Sequence, residues 1–198
     1  MHKLFVTQVY QAKIKTDLKD LEQEIYQIQN ADIEGKKWSS SHYPNGYTSY
    51  GSWDQLQQMS STFANLEKRI DLHVHKFTQA LGYDLPKKSL RMNSFWVNIM
   101  PAGALHTAHI HPHSVVSGTY YVSIPPRASA IKFEDPRLVS FMNSPLVKPK
   151  AAKELQRFFS LAPKAGDVVL FESWLKHEVP MNQSKQPRIS VSFNYDWA

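Results

Sequence analysis

Four of the nine histidines of this chain fall within eight residues, at His106, His109, His111 and His113 in the string Leu105-His-Thr-Ala-His-Ile-His-Pro-His-Ser. On an extended strand side chains alternate between faces, so His109, His111 and His113 would point to one side and His106 to the other. Two imidazoles two residues apart can reach one ion, and neutral imidazole is a common nitrogen ligand for iron, zinc, copper and nickel. A His-rich surface loop would have the same composition. A distal partner argues for the metal site instead: the stretch from Gly166 to Lys176 opens on a turn residue, runs through an apolar strand and delivers one further histidine, His177. The 198 residues include no cysteine. Disulfide frameworks, thiolate metal sites, Fe–S clusters and thiol nucleophiles are therefore excluded, and any metal must be held by nitrogen and oxygen.

Beyond His177 comes Arg188-Ile-Ser190-Val-Ser192-Phe-Asn194. Its alternation places Arg188, Ser190, Ser192 and Asn194 on one face of a strand. A guanidinium on a buried face loses its hydration unless an anion arrives, and its planar fork fits a carboxylate in bidentate geometry. A histidine pair, a later single histidine and then Arg-x-Ser together read as a metal site beside an anion site.

The elements that must position these residues follow from hydrophobic period. Leu4 to Tyr10, followed by Ala12 and Ile14, reads as an opening strand. Thr16-Asp17 can cap a helix whose Leu18, Leu21, Ile25 and Ile28 recur at steps of three and four, ending near Asn30. The Ser-, Tyr- and Gly-rich stretch from Lys36 to Trp53 reads as a loop with short strand pieces. A second, stronger helix carries Met59, Phe63, Leu66, Ile70, Val74, Phe77 and Leu81, with Gly82 as its stop. His73 and His75 within it are two apart and cannot share a face. After Leu85-Pro86 the texture becomes β-rich: Ser89 to Met100, Val115 to Ile124, Ile131 to Phe133, Asp167 to Phe171 and Arg188 to Tyr195, with one short helix expected around Ala151 to Phe159.

The resulting expectation is an α+β, mainly β chain: a double-stranded β-helix, or jelly roll, with N-terminal helices packed on one sheet. Residues 1–198 are expected to form one domain, with a helical front at about 17–82 and a β core at about 89–198. A chain of this length buries roughly two thirds of the surface its unfolded form exposes, enough for a core without staples. No secretion signal or membrane span is read, so a cytoplasmic location is expected. Lys and Arg exceed Asp and Glu by 23 to 17, a net +6, but they are spread out, with only short groups at Lys36-Lys37, Lys87-Lys88 and Lys148 to Lys153. Nucleic acid is not the expected partner. An exposed sheet edge would allow two chains to pair as a homodimer.

Taken together, the residues resemble the iron(II)- and 2-oxoglutarate-dependent dioxygenases, and within them a group of oxygenases of about this length. The likeness is carried by Trp96-x-Asn98, His109-Ile-His111-Pro-His-Ser-Val-Val-Ser117-Gly118-Thr-Tyr120-Tyr121-Val, Phe133-Glu-Asp135-Pro136-Arg137, and Leu170-Phe-x-Ser-Trp-Leu-x-His177-x-Val. It spans Trp96 to Asn194. The resemblance implies Fe(II), with 2-oxoglutarate as cosubstrate and O2. It places His109 and His177 as the two facial-triad histidines, Arg188 on the distal carboxylate of 2-oxoglutarate with Ser190 assisting, and Asn98 with Tyr120 or Tyr121 lining the cosubstrate pocket. One departure stands out: the common triad has a carboxylate two residues after its first histidine, where this chain has His111. His111 is favoured as the third ligand over His113, which then lies at the rim. The expected reaction is hydroxylation of a small-molecule or peptide substrate with release of succinate and CO2. The competing readings are a cupin-like three-His isomerase or hydrolase that does not use 2-oxoglutarate, and a non-catalytic metal- or ligand-binding module.

Overall fold

The computed structural model describes residues 1–86 and 90–197. Lys87, Lys88 and Ser89, where the first core strand was expected to begin, lie outside the described residues. In chain order the elements are β1 (Val9–Lys13), α1 (Leu18–Ala31), α2 (Ile33–His42), β2 (Tyr47–Thr48), α3 (Ser61–Ala80), β3 (Leu90–Met100), β4 (His106–His109), β5 (Val116–Ser123), β6 (Ile131–Glu134), β7 (Phe158–Leu161), β8 (Asp167–Glu172), β9 (His177–Val179) and β10 (Arg188–Trp197).

The strands form two antiparallel sheets. The larger has the order β1-β8-β5-β10-β3-β2, the smaller β4-β9-β6-β7. Residue alternation along β10 explains why the larger sheet has two different faces. Ile189, Val191, Phe193 and Tyr195 join the main core with Phe63, Leu66, Ile70, Val74 and Phe77 of α3 and Leu21 and Ile25 of α1. Arg188, Ser190, Ser192 and Asn194 turn the other way and line a cavity. The register carries the same division across the sheet, pairing Ser190 with Asn98 of β3 and with Tyr121 of β5. A jelly roll with helices on the outer face of one sheet is the architecture expected from the sequence.

Both expected helices are present, α1 capped by Asp17 as anticipated and α3 starting after Met59, at a cap on Ser60. The Asp17 side chain accepts from the backbone N–H groups of Lys19 and Asp20, and the Ser60 side chain from those of Thr62 and Phe63. Gly82, at φ +74°, follows α3 in the left-handed conformation that ends many helices.

Three local expectations are corrected. The opening strand is confined to Val9–Lys13; Phe5 has φ +55° and is solvent-exposed, so the apolar run before it joins no sheet. The stretch expected as loop from Lys36 begins inside α2 and is helical to His42; the buried N-cap of α2, Asp32, accepts from Gly35 N at 2.8 Å. The helix expected around Ala151 to Phe159 is one 3-10 turn at Lys153–Leu155, after which β7 pairs with β6.

Candidate metal and cosubstrate site

The histidine string spans a strand end and the turn after it, and this sets its geometry. A register irregularity lies between His106 and His109 on β4. It breaks the two-residue alternation, so His106 lines the same cavity as His109, contrary to the expectation that it points away. β4 ends at His109, and His111 is fixed instead by its backbone N–H, which donates to Ser173 O at 3.0 Å. His113 has φ +68° and is exposed, outside the group of facing imidazoles.

His109, His111 and His177 converge. One nitrogen from each lies within 4.8 Å of the others, the arrangement a single ion needs. His109 and His177 are cross-strand partners on β4 and β9, with ring centroids 4.4 Å apart. The Nδ1 of His109 lies 2.7 Å from Thr107 O and that of His177 2.9 Å from Leu175 O. A carbonyl oxygen only accepts, so each Nδ1 carries the proton and each Nε2 keeps a free lone pair. The Nε2 atoms of His111 and His177 face each other at 3.3 Å. Burial, reinforced by the neighbouring imidazoles, lowers the pKa of His111 to about 3; burial and His109 lower that of His177 to about 4. Both are therefore neutral at neutral pH, as metal ligation requires.

Arg188, which lines the same cavity, is 2% exposed. Its Nη1 donates to Ser190 Oγ at 3.3 Å and lies 4.0 Å from Met100 Sδ. Its guanidinium carbon stands 5.0 Å from the centroid of the Tyr121 ring, and no carboxylate among the described residues pairs with it. Arg188 Nε, Tyr121 Oη and Tyr43 Oη are all buried without hydrogen-bond partners among the described residues. A buried guanidinium and two phenols lacking acceptors are costly unless an anion is received there. A carboxylate supplies what they lack, and three neutral imidazoles suit Fe(II), so the residues fit an iron and 2-oxoglutarate pair.

The structure divides the other candidate residues. Asn98 lines the cavity, its Nδ2 donating to Ser192 Oγ at 3.1 Å while its Oδ1 is buried without a partner. Tyr121 lies under Arg188. Tyr120 is turned to the helical side, where its hydroxyl lies 2.7 Å from Thr16 Oγ1 and donates to Ile14 O at 3.2 Å, so it lines no cosubstrate pocket. The cavity, about 360 Å³, is also walled by His106 and by residues for which the sequence offered no signal: Trp38 and Tyr43 of the α2 region, and Tyr50. Tyr50 and Trp96 meet at 4.9 Å between ring centroids, and the Trp96 ring is 6.2 Å from that of His111.

A jelly roll that presents three imidazole nitrogens and a buried arginine to one cavity has the donors that a non-haem metal and an oxo-acid cosubstrate require. The family profile described as "Putative 2OG-Fe(II) oxygenase" matches residues 94–194, half of the chain and all of the cluster, and the chain belongs to that family. The cofactor of the family is Fe(II), with 2-oxoglutarate and O2 as cosubstrates. No curated protein matches the chain in sequence.

Solved structures share the fold. HygX from Streptomyces hygroscopicus, crystallised with nickel and 2-oxoglutarate, is 14% identical with a TM-score of 0.62, covering 98% of this chain and 84% of its own. The epimerase SnoN in complex with Fe3+, alpha ketoglutarate and nogalamycin RO is 15% identical with a TM-score of 0.65, covering 97% and 80%. A Pseudomonas putida prolyl-4-hydroxylase is 15% identical with a TM-score of 0.62, covering 97% and 94%. At these identities the likeness concerns the fold.

Proposed function

We propose that this chain is a single-domain oxygenase that couples oxidation of 2-oxoglutarate to succinate and CO2 with hydroxylation of a second substrate. In this reading His109, His111 and His177 hold Fe(II), and Arg188 with Ser190 holds the distal carboxylate of 2-oxoglutarate. Bound iron supplies the site at which the keto-acid end of 2-oxoglutarate and O2 react, and the oxidising power for C–H hydroxylation.

The protein's own contribution is position. The carbonyl groups of Thr107 and Leu175 orient the imidazoles of His109 and His177, leaving Nε2 as the ligating atom. Arg188 fixes the cosubstrate by its far end, so the keto-acid end is presented to the histidines in one direction. On the larger sheet's inner face Ser192 bonds both Asn98 and Thr119, and all three line the same cavity. Trp96 and Tyr50 meet beside His111 and wall the cavity on the histidine side.

The observation that carries the reading is Arg188: buried, without a carboxylate partner among the described residues, and facing the same cavity as the three imidazoles. It also argues against a three-His isomerase or hydrolase that does not use 2-oxoglutarate, which would leave this charge uncompensated. The test is thermal melting of the protein with Fe(II) or Mn(II), with and without 2-oxoglutarate. Metal-dependent stabilisation by 2-oxoglutarate that disappears in Arg188→Ala is the expected result. Stabilisation by metal alone, indifferent to 2-oxoglutarate, would contradict the reading.

A further inference from the structure

Tyr43 follows α2, outside both sheets, yet it is 4% exposed and lines the cavity that holds Arg188 and the histidines. Its ring is fixed on three sides. It stacks on His106, with centroids 4.3 Å apart and planes 21° from parallel. It packs among Met100, Ala104 and Val179. Its third contact is Gly46, where an added Cβ would fall 2.3 Å from Tyr43 Cε1, so only a glycine leaves room for the ring. The Tyr43-Pro-Asn-Gly46 turn, closed by Gly46 N donating to Tyr43 O at 3.0 Å with Asn45 at φ +62°, returns the chain beneath it.

A side chain held so closely has an unused polar atom: Tyr43 Oη is buried and has no hydrogen-bond partner among the described residues. Met100 shares the buried cluster of Tyr43, and Arg188 Nη1 lies 4.0 Å from Met100 Sδ, so the phenol lies on the Arg188 side of the cavity. Arginine has no acceptor, so it cannot take the phenolic proton. Burial pushes the Tyr43 pKa up, which keeps that proton in place.

We infer that Tyr43 donates its phenolic hydrogen bond to the distal carboxylate of 2-oxoglutarate, completing from the helical front a binding site that Arg188 and Ser190 begin on β10. This rests on the reading of Arg188 as the carboxylate anchor and extends it. A carboxylate has two oxygens with about four acceptor positions, so it accommodates the guanidinium fork and a phenol together. Tyr43 then acts in selection of the cosubstrate: it rewards an oxo acid that ends in a second carboxylate over one that ends in a methyl group.

The experiment compares two ligands on Fe(II)-loaded protein under anaerobic conditions: 2-oxoglutarate, and 2-oxovalerate, which keeps the keto-acid end and replaces the distal carboxylate with a methyl group. Binding is read by calorimetry, with metal content measured separately. Tyr43→Phe removes one hydroxyl that no protein group uses, and is expected to weaken 2-oxoglutarate by about tenfold or more while changing 2-oxovalerate by less than about twofold. Unchanged 2-oxoglutarate affinity, or equal weakening of both acids, would overturn the assignment, the second because it would mark a displaced ring. If the unaltered protein binds both acids equally, the Arg188 reading itself fails, and the two failures are thereby distinguished.

Discussion

His109 and His177 sit opposite each other on neighbouring antiparallel strands, and a carbonyl two residues earlier in each chain segment fixes the Nδ1 of both rings. The strand pairing therefore sets the distance between two of the three candidate ligands, while His111, beyond the strand end, depends on its bond to Ser173.

The first prediction concerns the ligand set. His111→Ala and His177→Ala should each lose stoichiometric Fe(II) in equilibrium dialysis, whereas His113→Ala should retain it, because His113 is exposed and in a left-handed turn. His111→Asp, which installs the commoner carboxylate, should also retain metal. Loss of metal in His113→Ala with retention in His111→Ala would reverse the assignment.

Arg188 yields a stability prediction opposite to the usual effect of truncating a buried residue. Without a carboxylate partner its charge costs free energy, so Arg188→Met should melt at or a few degrees above the parent temperature in the absence of 2-oxoglutarate. The same variant should lose 2-oxoglutarate binding. A large drop in melting temperature would mean that Arg188 has a structural partner.

A pH dependence follows from the buried imidazoles. Burial lowers the pKa of His106 and His111 to about 3 and of His177 to about 4. In the unfolded chain they titrate near the ordinary histidine value of about 6.5. Between these values the unfolded chain binds protons that the folded, metal-free chain refuses, so stability rises with pH across this window and is lost as pH falls through it. Denaturant unfolding of metal-free protein from neutral pH down to about 4.5 should show that slope, and His106→Asn should flatten it. A pH-independent midpoint would show that the imidazoles are hydrated in the folded state.

Asp32 tests how the helical front is held. Its carboxylate is buried and accepts hydrogen bonds from Gly35 N, Tyr47 Oη and Ser52 Oγ, tying the start of α2 to the segment that returns past Tyr43. Asp32→Ala would leave two hydroxyls and a backbone donor without their acceptor and should cost ~1–3 kcal/mol in urea unfolding. It should also weaken 2-oxoglutarate binding, because α2 carries Tyr43 at its end. An unchanged unfolding midpoint would show that water replaces the carboxylate.

The sequence reveals some of these features more readily than others, for physical reasons. α3 is legible because Phe63, Leu66, Ile70, Val74 and Phe77 all face one core, and β10 because strict alternation separates that core from the cavity. α2 is not, since it contains Gly35 and three serines and buries only Gly35 and Ser39 within its span; it is made by the Asp32 cap and by Ser39 Oγ bonding the backbone of Thr48. Tyr43 and its task are invisible for the same reason. The position of His106 depends on an irregularity in β4 that a two-residue period cannot express. The choice between Tyr120 and Tyr121 turns on strand register: Tyr121 pairs with Ser190, so it shares the face of Arg188, and Tyr120 faces the helices.

The most direct test of the account is succinate formation. Purified protein supplied with Fe(II), ascorbate, O2 and 2-oxoglutarate should convert 2-oxoglutarate to succinate and CO2 slowly even without its second substrate, and His177→Ala should not. Succinate formation that survives His177→Ala, or its absence from the unaltered protein with iron and 2-oxoglutarate both shown to be bound, would contradict it.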